Sequence, residues 1–127
     1  MPILEPEVSI KAPDKAGAEA LLHTALLDRL QTMPGDAPLM FKLTIPTEPG
    51  LYTDLAAHPR VLRVLALSGG YSTDEACARL ANEPVLIASF SRALLQDLRA
   101  DQTDDEFTAA LEHAVAEIYA ASVHTAG

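Results

Sequence analysis

Tryptophan is absent, only one cysteine occurs, and the 9 basic residues include just three lysines. Each scarcity excludes something. A single cysteine, Cys77, rules out an internal disulfide. Inside a helical pattern a lone thiol reads as a small buried apolar residue, because a nucleophile needs a nearby base and none is evident. No apolar run approaches the roughly 20 residues of a membrane span. The opening Met1-Pro2-Ile3-Leu4-Glu5 has neither the basic region nor the apolar core of a signal peptide, so a reducing cytoplasm is the expected compartment. The 9 basic residues face 18 acidic ones, for a net charge of −9. Such a balance repels phosphodiester backbones and anionic lipid surfaces, so neither nucleic acid nor membrane is an expected partner. It does not exclude a small phosphate held by a local pocket.

Cofactor signals are also missing. No Walker loop and no GxGxxG occurs. His23, His58, His113 and His124 are scattered without ligand spacing, so no metal site is expected, and all four read as surface or helix-packing residues.

What remains suits one α/β domain over residues 1–127. Apolar residues make up 49% and mean hydropathy is +0.12, which fits a compact soluble chain rather than a disordered one. The pattern predicts strands over Ile3–Val8 (interrupted by Pro6), Leu39–Ile45, Val61–Leu67 and Val85–Ser89. Between and after them come helical segments. The first opens at Pro13-Asp14 and runs to about Leu30, with Ala18, Leu21, Leu22, Ala25, Leu26 and Leu30 as its apolar face. Shorter helices are predicted over Leu51–Ala57 and Arg92–Leu98, and another from the capping box Ser72/Glu75. A second capping box, Thr103/Glu106, starts the last helix, whose stripe is Phe107, Leu111, Ala114, Val115, Ile118 and Ala121. The order βαβαβαβα implies parallel strands with helices outside. Four units are half of the eight in a closed (β/α)₈ barrel, which needs about 250 residues. The chain is therefore half a barrel or a small open sheet, and composition alone favours the open sheet.

Three groups of residues can carry chemistry. Lys42 lies within Leu39-Met40-Phe41-Lys42-Leu43-Thr44-Ile45. Strand alternation points Leu39, Phe41, Leu43 and Ile45 at the helices, and Met40, Lys42 and Thr44 the other way. A lysine there is costly unless its ammonium meets a partner or a pocket. Desolvation yields a neutral amine that can attack a carbonyl; the plainer reading is an edge-strand lysine reaching water. Glu5 and Glu7 flank Pro6 on one face of a strand end. As close carboxylates they suit general acid–base work, or else they are simply solvated. Ser68-Gly69-Gly70-Tyr71-Ser72 and Ser89-Phe90-Ser91-Arg92 each follow a strand. Both offer groups suited to an anion, namely glycine backbone, hydroxyls and a guanidinium. A tight strand-to-helix turn is the plainer reading of the first. Phosphate sites of barrels lie after strands 7 and 8, which matches two such loops near the end of the chain.

Taken in order, Ile3-Leu4-Glu5-Pro6-Glu7-Val8, Lys42-Leu43-Thr44-Ile45-Pro46, Leu67-Ser68-Gly69-Gly70-Tyr71-Ser72 and Ser89-Phe90-Ser91-Arg92-Ala93-Leu94 resemble class I fructose-1,6-bisphosphate aldolases, the bacterial branch above all. The resemblance spans Ile3 to about Ser122. It implies the last four units of a (β/α)₈ barrel and reversible cleavage of fructose 1,6-bisphosphate, a step of glycolysis and gluconeogenesis. It also implies Lys42 as the imine lysine, Glu5 as acid and base, and Glu7 beside them. Ser68, Gly69, Gly70, Ser89, Ser91 and Arg92 fall on or beside the family's phosphate-binding positions. No cofactor is implied. Two departures stand out. Ser91 replaces the glycine of animal enzymes, and the tail His124-Thr125-Ala126-Gly127 lacks their terminal tyrosine. The family's first-strand aspartate and further basic residues have no counterpart after Met1, so the expected partner besides sugar phosphate is a complementary N-terminal half or a second copy.

Overall fold

A computed structural model describes residues 1–123 of the chain; His124 and the tail motif lie outside the described residues. The elements run β1 (Ile3–Leu4), α1 (Lys15–Thr32), β2 (Leu39–Thr44), α2 (Thr53–Ala57), β3 (Val61–Leu67), α3 (Thr73–Leu80), β4 (Leu86–Ala88), α4 (Arg92–Leu95) and α5 (Asp104–Val123). The strands form one parallel sheet in the order β1-β2-β3-β4. Each strand lies beside its predecessor, so right-handed crossovers put the connecting helices on the same face.

That face is the core. Leu39, Phe41 and Leu43 of β2, Val61, Val64 and Ala66 of β3 and Leu86 of β4 are all buried. They pack with Leu30, Leu55, Ala76, Leu80 and Ala121 from the helices. Burying each large apolar side chain contributes about 1.5–3 kcal/mol. The opposite face is partly open. The register aligns Ile3 with Met40, Lys42 with Leu65 and Leu65 with Ile87. Ile3 and Ile87 remain 45% and 36% exposed there. A register shift between Leu39 and Met40 leaves Leu62 without a partner and exposed.

Several boundaries differ from the sequence reading. The first strand ends at Leu4 rather than Val8. Pro6 has no N–H to give a ladder, and Val8 is held by a side chain instead. The Thr44 hydroxyl accepts from its N–H at 3.1 Å and donates to its carbonyl at 2.8 Å. The fourth strand shrinks to Leu86–Ala88, although the Ser89 N–H still donates to the Ala66 carbonyl at 2.8 Å. The short helix ends at Leu95, not Leu98, and closes in a turn.

Two apolar stripes are also rotated. In α1, Leu21 is 76% exposed and Ala25 is exposed, while Glu19 is fully buried. In α5, Phe107 and Val115 lie outside, and the helix seats on the small Ala114 and Ala121 with Ile118 half-buried. The Ser122 hydroxyl accepts there from the Ala88 N–H at 3.0 Å. Both N-caps form, but only the second capping box closes, since the Glu75 carboxylate turns to Arg79. Ser72 accepts from the Glu75 N–H, and Thr103 and Glu106 bond reciprocally. Among the described residues no helix is long and apolar enough to cross a membrane.

Glu83 is the second buried acid, accepting from the Gly50 N–H at 3.2 Å. Burial pushes its carboxyl above the usual range; the Gly50 bond opposes this, nearby Glu19 adds to it, and Lys15 opposes it. The folded chain thus keeps this proton to higher pH than the unfolded one. As pH rises from the ordinary value through the raised one, the native state binds more protons, so stability falls across that window. Glu83→Gln keeps an acceptor for Gly50 and removes the titration. Urea midpoints measured against pH are expected to be flatter for the variant and to lie above the wild type near neutrality. Equal slopes for the two proteins would contradict this.

Candidate active site at the C-terminal strand ends

All four strands end at one rim, and the chemistry-bearing residues lie at or just after those ends. Lys42 is two residues before the end of β2, on the open face, as strand alternation predicts. Glu5 follows β1 directly, Ser68 follows β3, and Ser89 follows β4. A small pocket of about 140 Å³ is lined by Glu5, Glu7, Lys42, Ser68, Gly69 and Ser89, with Ser91 and Arg92 completing it. Eight of the nine residues singled out from the sequence therefore share one pocket. Gly70 is the exception; it lines a larger adjoining cavity.

Charge alternates around the pocket. The Lys42 ammonium is 3.8 Å from Glu5 Oε2, and Arg92 Nη2 is 3.8 Å from Glu7 Oε1. These separations are ion contacts, too long for hydrogen bonds. Only Lys42 is substantially enclosed, at 22% side-chain exposure, against 55% for Glu5 and 67% for Arg92. Such half-solvated contacts hold little energy, so a ligand can replace them cheaply.

The backbone that builds the pocket is fixed from several sides. Gly69 and Gly70 have φ of 63° and 101°, left-handed conformations that other residues rarely adopt. A Cβ at Gly69 would lie 2.9 Å from Ile10 Cγ2. The turn after β1 thus rests directly on the β3–α3 loop. Thr73 ties that loop to the next one: its N–H donates to Gln96 Oε1 at 2.9 Å, and its hydroxyl donates to the Ala93 carbonyl at 2.6 Å. Arg79 lies 4.4 Å over the Tyr71 ring and bonds Glu75, bracing the same loop from outside.

The loop after β2 is pinned by charge. Lys15 bonds Glu19, the Ile45 carbonyl at 2.8 Å and the Thr47 hydroxyl at 3.2 Å, and Glu19 accepts from the Thr47 N–H at 2.9 Å. Lys15 is therefore part of this clamp. Sequence reasoning missed Thr44, Glu19, Thr73 and Ile10 as supports. Only Thr44 left a signal, since alternation puts it on the face of Lys42.

The other candidates stand apart from the pocket. His23 bonds Asp54 at 2.6 Å and packs edge-on against Tyr52, and His113 lies 3.6 Å from Glu117 on α5. His58 accepts from the Arg60 N–H. Burial, then Glu117 and Asp74, pushes the Cys77 thiol up, which disfavours a thiolate. Among the described residues no three of His, Cys, Asp and Glu are grouped to hold a metal ion.

Compared with the known protein families, the chain matches none. The functional reading therefore rests on the residues and their geometry.

Proposed function

We propose that this chain is the C-terminal half of a (β/α)₈ barrel of the class I fructose-bisphosphate aldolase kind, and that Lys42 forms its imine. The observation that carries the reading is the Lys42–Glu5 contact of 3.8 Å inside a pocket walled by Ser68, Gly69, Ser89 and Arg92. An amine beside a carboxylate, with hydroxyls and a guanidinium a few ångströms away, suits a phosphorylated ketone. The sequential, all-parallel strand order and the half-exposed apolar face support the barrel half, because purely parallel sheets are normally covered on both faces.

The chemistry follows from these positions. The Lys42 amine attacks the ketone carbon, forming a C–N bond while the carbonyl oxygen takes a proton. The resulting carbinolamine loses that oxygen as water, and Glu5 supplies the proton that the departing hydroxyl needs. The protonated imine at C2 then draws in the electrons of the C3–C4 bond of the sugar, and Glu5, left as a carboxylate by the preceding step, takes the proton of the C4 hydroxyl. Cleavage leaves an enamine on Lys42 and releases an aldehyde. Ser68, Gly69, Ser89 and Arg92 would hold one phosphate, with Ser91 at the mouth and Glu7 orienting Arg92.

The open face favours a second reading, in which the chain binds sugar phosphate but turns over only when a complementary half covers that face. One experiment tests the first reading. The chain is incubated with dihydroxyacetone phosphate, reduced with borohydride, digested and weighed. The expected result is one adduct, on Lys42. A folded sample without an adduct, or with one spread over Lys11 and Lys15, removes the imine assignment.

A further inference from the structure

The two glutamates of the pocket stand on a stretch of chain with little support of its own. The ladder between β1 and β2 stops where Leu4 pairs with Phe41. Continued in the same register, it would set Glu5 beside Lys42 and Glu7 beside Thr44. Pro6 prevents this, having no N–H to give. Among the described residues, none of the backbone hydrogen bonds outside the helices and strands involves Glu5, Pro6 or Glu7. Their carboxylates make only the long contacts of 3.8 Å to Lys42 and 3.8 Å to Arg92.

The far end of this stretch is caught by one side chain. Thr44 stands two residues after Lys42 on the same strand face. It is 1% exposed and is the polar residue buried in β2, among Leu39, Phe41 and Leu43. Its hydroxyl grips Val8 twice, accepting from the N–H at 3.1 Å and donating to the carbonyl at 2.8 Å. One side chain thereby supplies what the interrupted ladder does not. Its methyl faces elsewhere: Thr44 Cγ2 would lie 3.5 Å from a Cβ at Gly69, so it rests on the β3–α3 loop. Hydroxyl and methyl therefore serve different neighbours.

We propose that Thr44 is a positioning residue of the site, whose hydroxyl acts through Val8 to set where Glu5 and Glu7 stand relative to Lys42 and Arg92. The inference rests on the imine reading for what the positioned groups do, and adds to it the group that aligns the acid with the amine. Lys42 and Thr44 share one rigid strand, so amine and anchor move together. Glu5 comes from chain held at Leu4 on one side and at Val8 on the other. Releasing Val8 lets that chain swing about Leu4 and lengthens the Glu5–Lys42 contact. A misplacement of about 1 Å in a reacting group is enough to cost roughly 10²-fold in rate.

Two substitutions separate the hydroxyl from the methyl. Thr44→Val keeps the methyl against Gly69 and removes both bonds to Val8. Thr44→Ser keeps the bonds and removes the methyl. The first readout needs no ligand. The Val8 amide proton is expected to exchange slowly in the wild type and in Thr44→Ser, and about tenfold faster or more in Thr44→Val, with the amide signals of Glu5 and Glu7 shifted as well. The second readout is single-turnover trapping at Lys42 with dihydroxyacetone phosphate and borohydride. At saturating ligand the rate is expected to fall about 10–10²-fold in Thr44→Val and to be largely restored in Thr44→Ser. The ligand concentration giving half the maximal rate should barely move, because the phosphate contacts lie on other loops. Val61→Ala is the control for lost stability. Val61 is buried at the start of β3, at the opposite end of the sheet from the pocket. Its folded fraction, measured by urea unfolding, is expected to trap at the wild-type rate. Equal rates in wild type and Thr44→Val, a loss shared equally by Val61→Ala, or a loss that serine does not restore would each overturn the proposal. Failure of the imine reading looks different. Exchange at Val8 that depends on the hydroxyl, with no adduct in any of the proteins, keeps the anchor and removes the imine. An adduct whose rate ignores Thr44→Val keeps the imine and removes the anchor.

Discussion

Glu19→Ala is expected to destabilise the fold by about 3–5 kcal/mol, the usual cost of breaking a buried ion pair by deleting one partner. Glu19 is fully buried on α1. Its loss would leave the Lys15 ammonium, in a side chain only 10% exposed, with a carbonyl and a hydroxyl for company. The Thr47 N–H would lose its acceptor as well. Domains have about 5–15 kcal/mol of stability in total, so this one change removes a large share. Replacing both charges is a different matter, because the desolvation cost disappears with them. The double variant Lys15→Met/Glu19→Leu is expected to lie within about 2 kcal/mol of the wild type. Urea unfolding of the wild type, Lys15→Met, Glu19→Leu and the double variant measures the coupling, with Glu19→Ala read beside them. A Glu19→Ala cost below about 1 kcal/mol would mean that water reaches Lys15 readily and that the clamp is ornamental. The consequence reaches the site, since this pair holds the backbone from Ile45 to Thr47, directly after the strand that carries Lys42.

Glu19 also marks where the sequence stops being informative. The alternation of Leu39-Met40-Phe41-Lys42-Leu43-Thr44 is local, and it located both the buried face and Lys42 on the other one. The capping residues Ser72 and Thr103 are local too, and both act as read. Glu19 looks like a solvated helix residue because its partner Thr47 is 28 positions away. Val8 looks like part of a strand because its partner, the Thr44 hydroxyl, is 36 positions away. The stripe of α5 has helical period, yet period does not say which edge of the stripe touches the sheet. Packing chose the alanines, Ala114 and Ala121, where the backbone can come close. The pocket was legible for a related reason: each of its residues sits at a strand end, and parallel strands in sequential order bring all their ends to one rim. The larger adjoining cavity was not, because Lys11, which helps to line it, belongs to a turn whose position depends on the contact of Ile10 with Gly69.

Glu5→Gln is expected to slow trapping of dihydroxyacetone phosphate at Lys42 by about 10²–10⁴-fold, the range for losing a positioned general acid or base. The amide keeps the shape of the carboxylate, so the pocket stays filled, but it can neither deliver a proton to the departing hydroxyl nor take one back. Folding should change by less than about 0.5 kcal/mol, because the Lys42–Glu5 contact is long and Glu5 is 55% exposed. Glu7→Gln makes the informative comparison. Glu7 faces Arg92 rather than Lys42, at 3.8 Å. Its loss frees the guanidinium for an anion, so ligand affinity should rise slightly while the trapping rate at saturating ligand barely moves. Single-turnover trapping over a range of ligand concentrations separates the two effects. A rate that collapses with Glu7→Gln and survives Glu5→Gln would exchange the roles of the two glutamates. Equal small losses would mean that solvent supplies the proton and that Glu5 only balances the charge of Lys42.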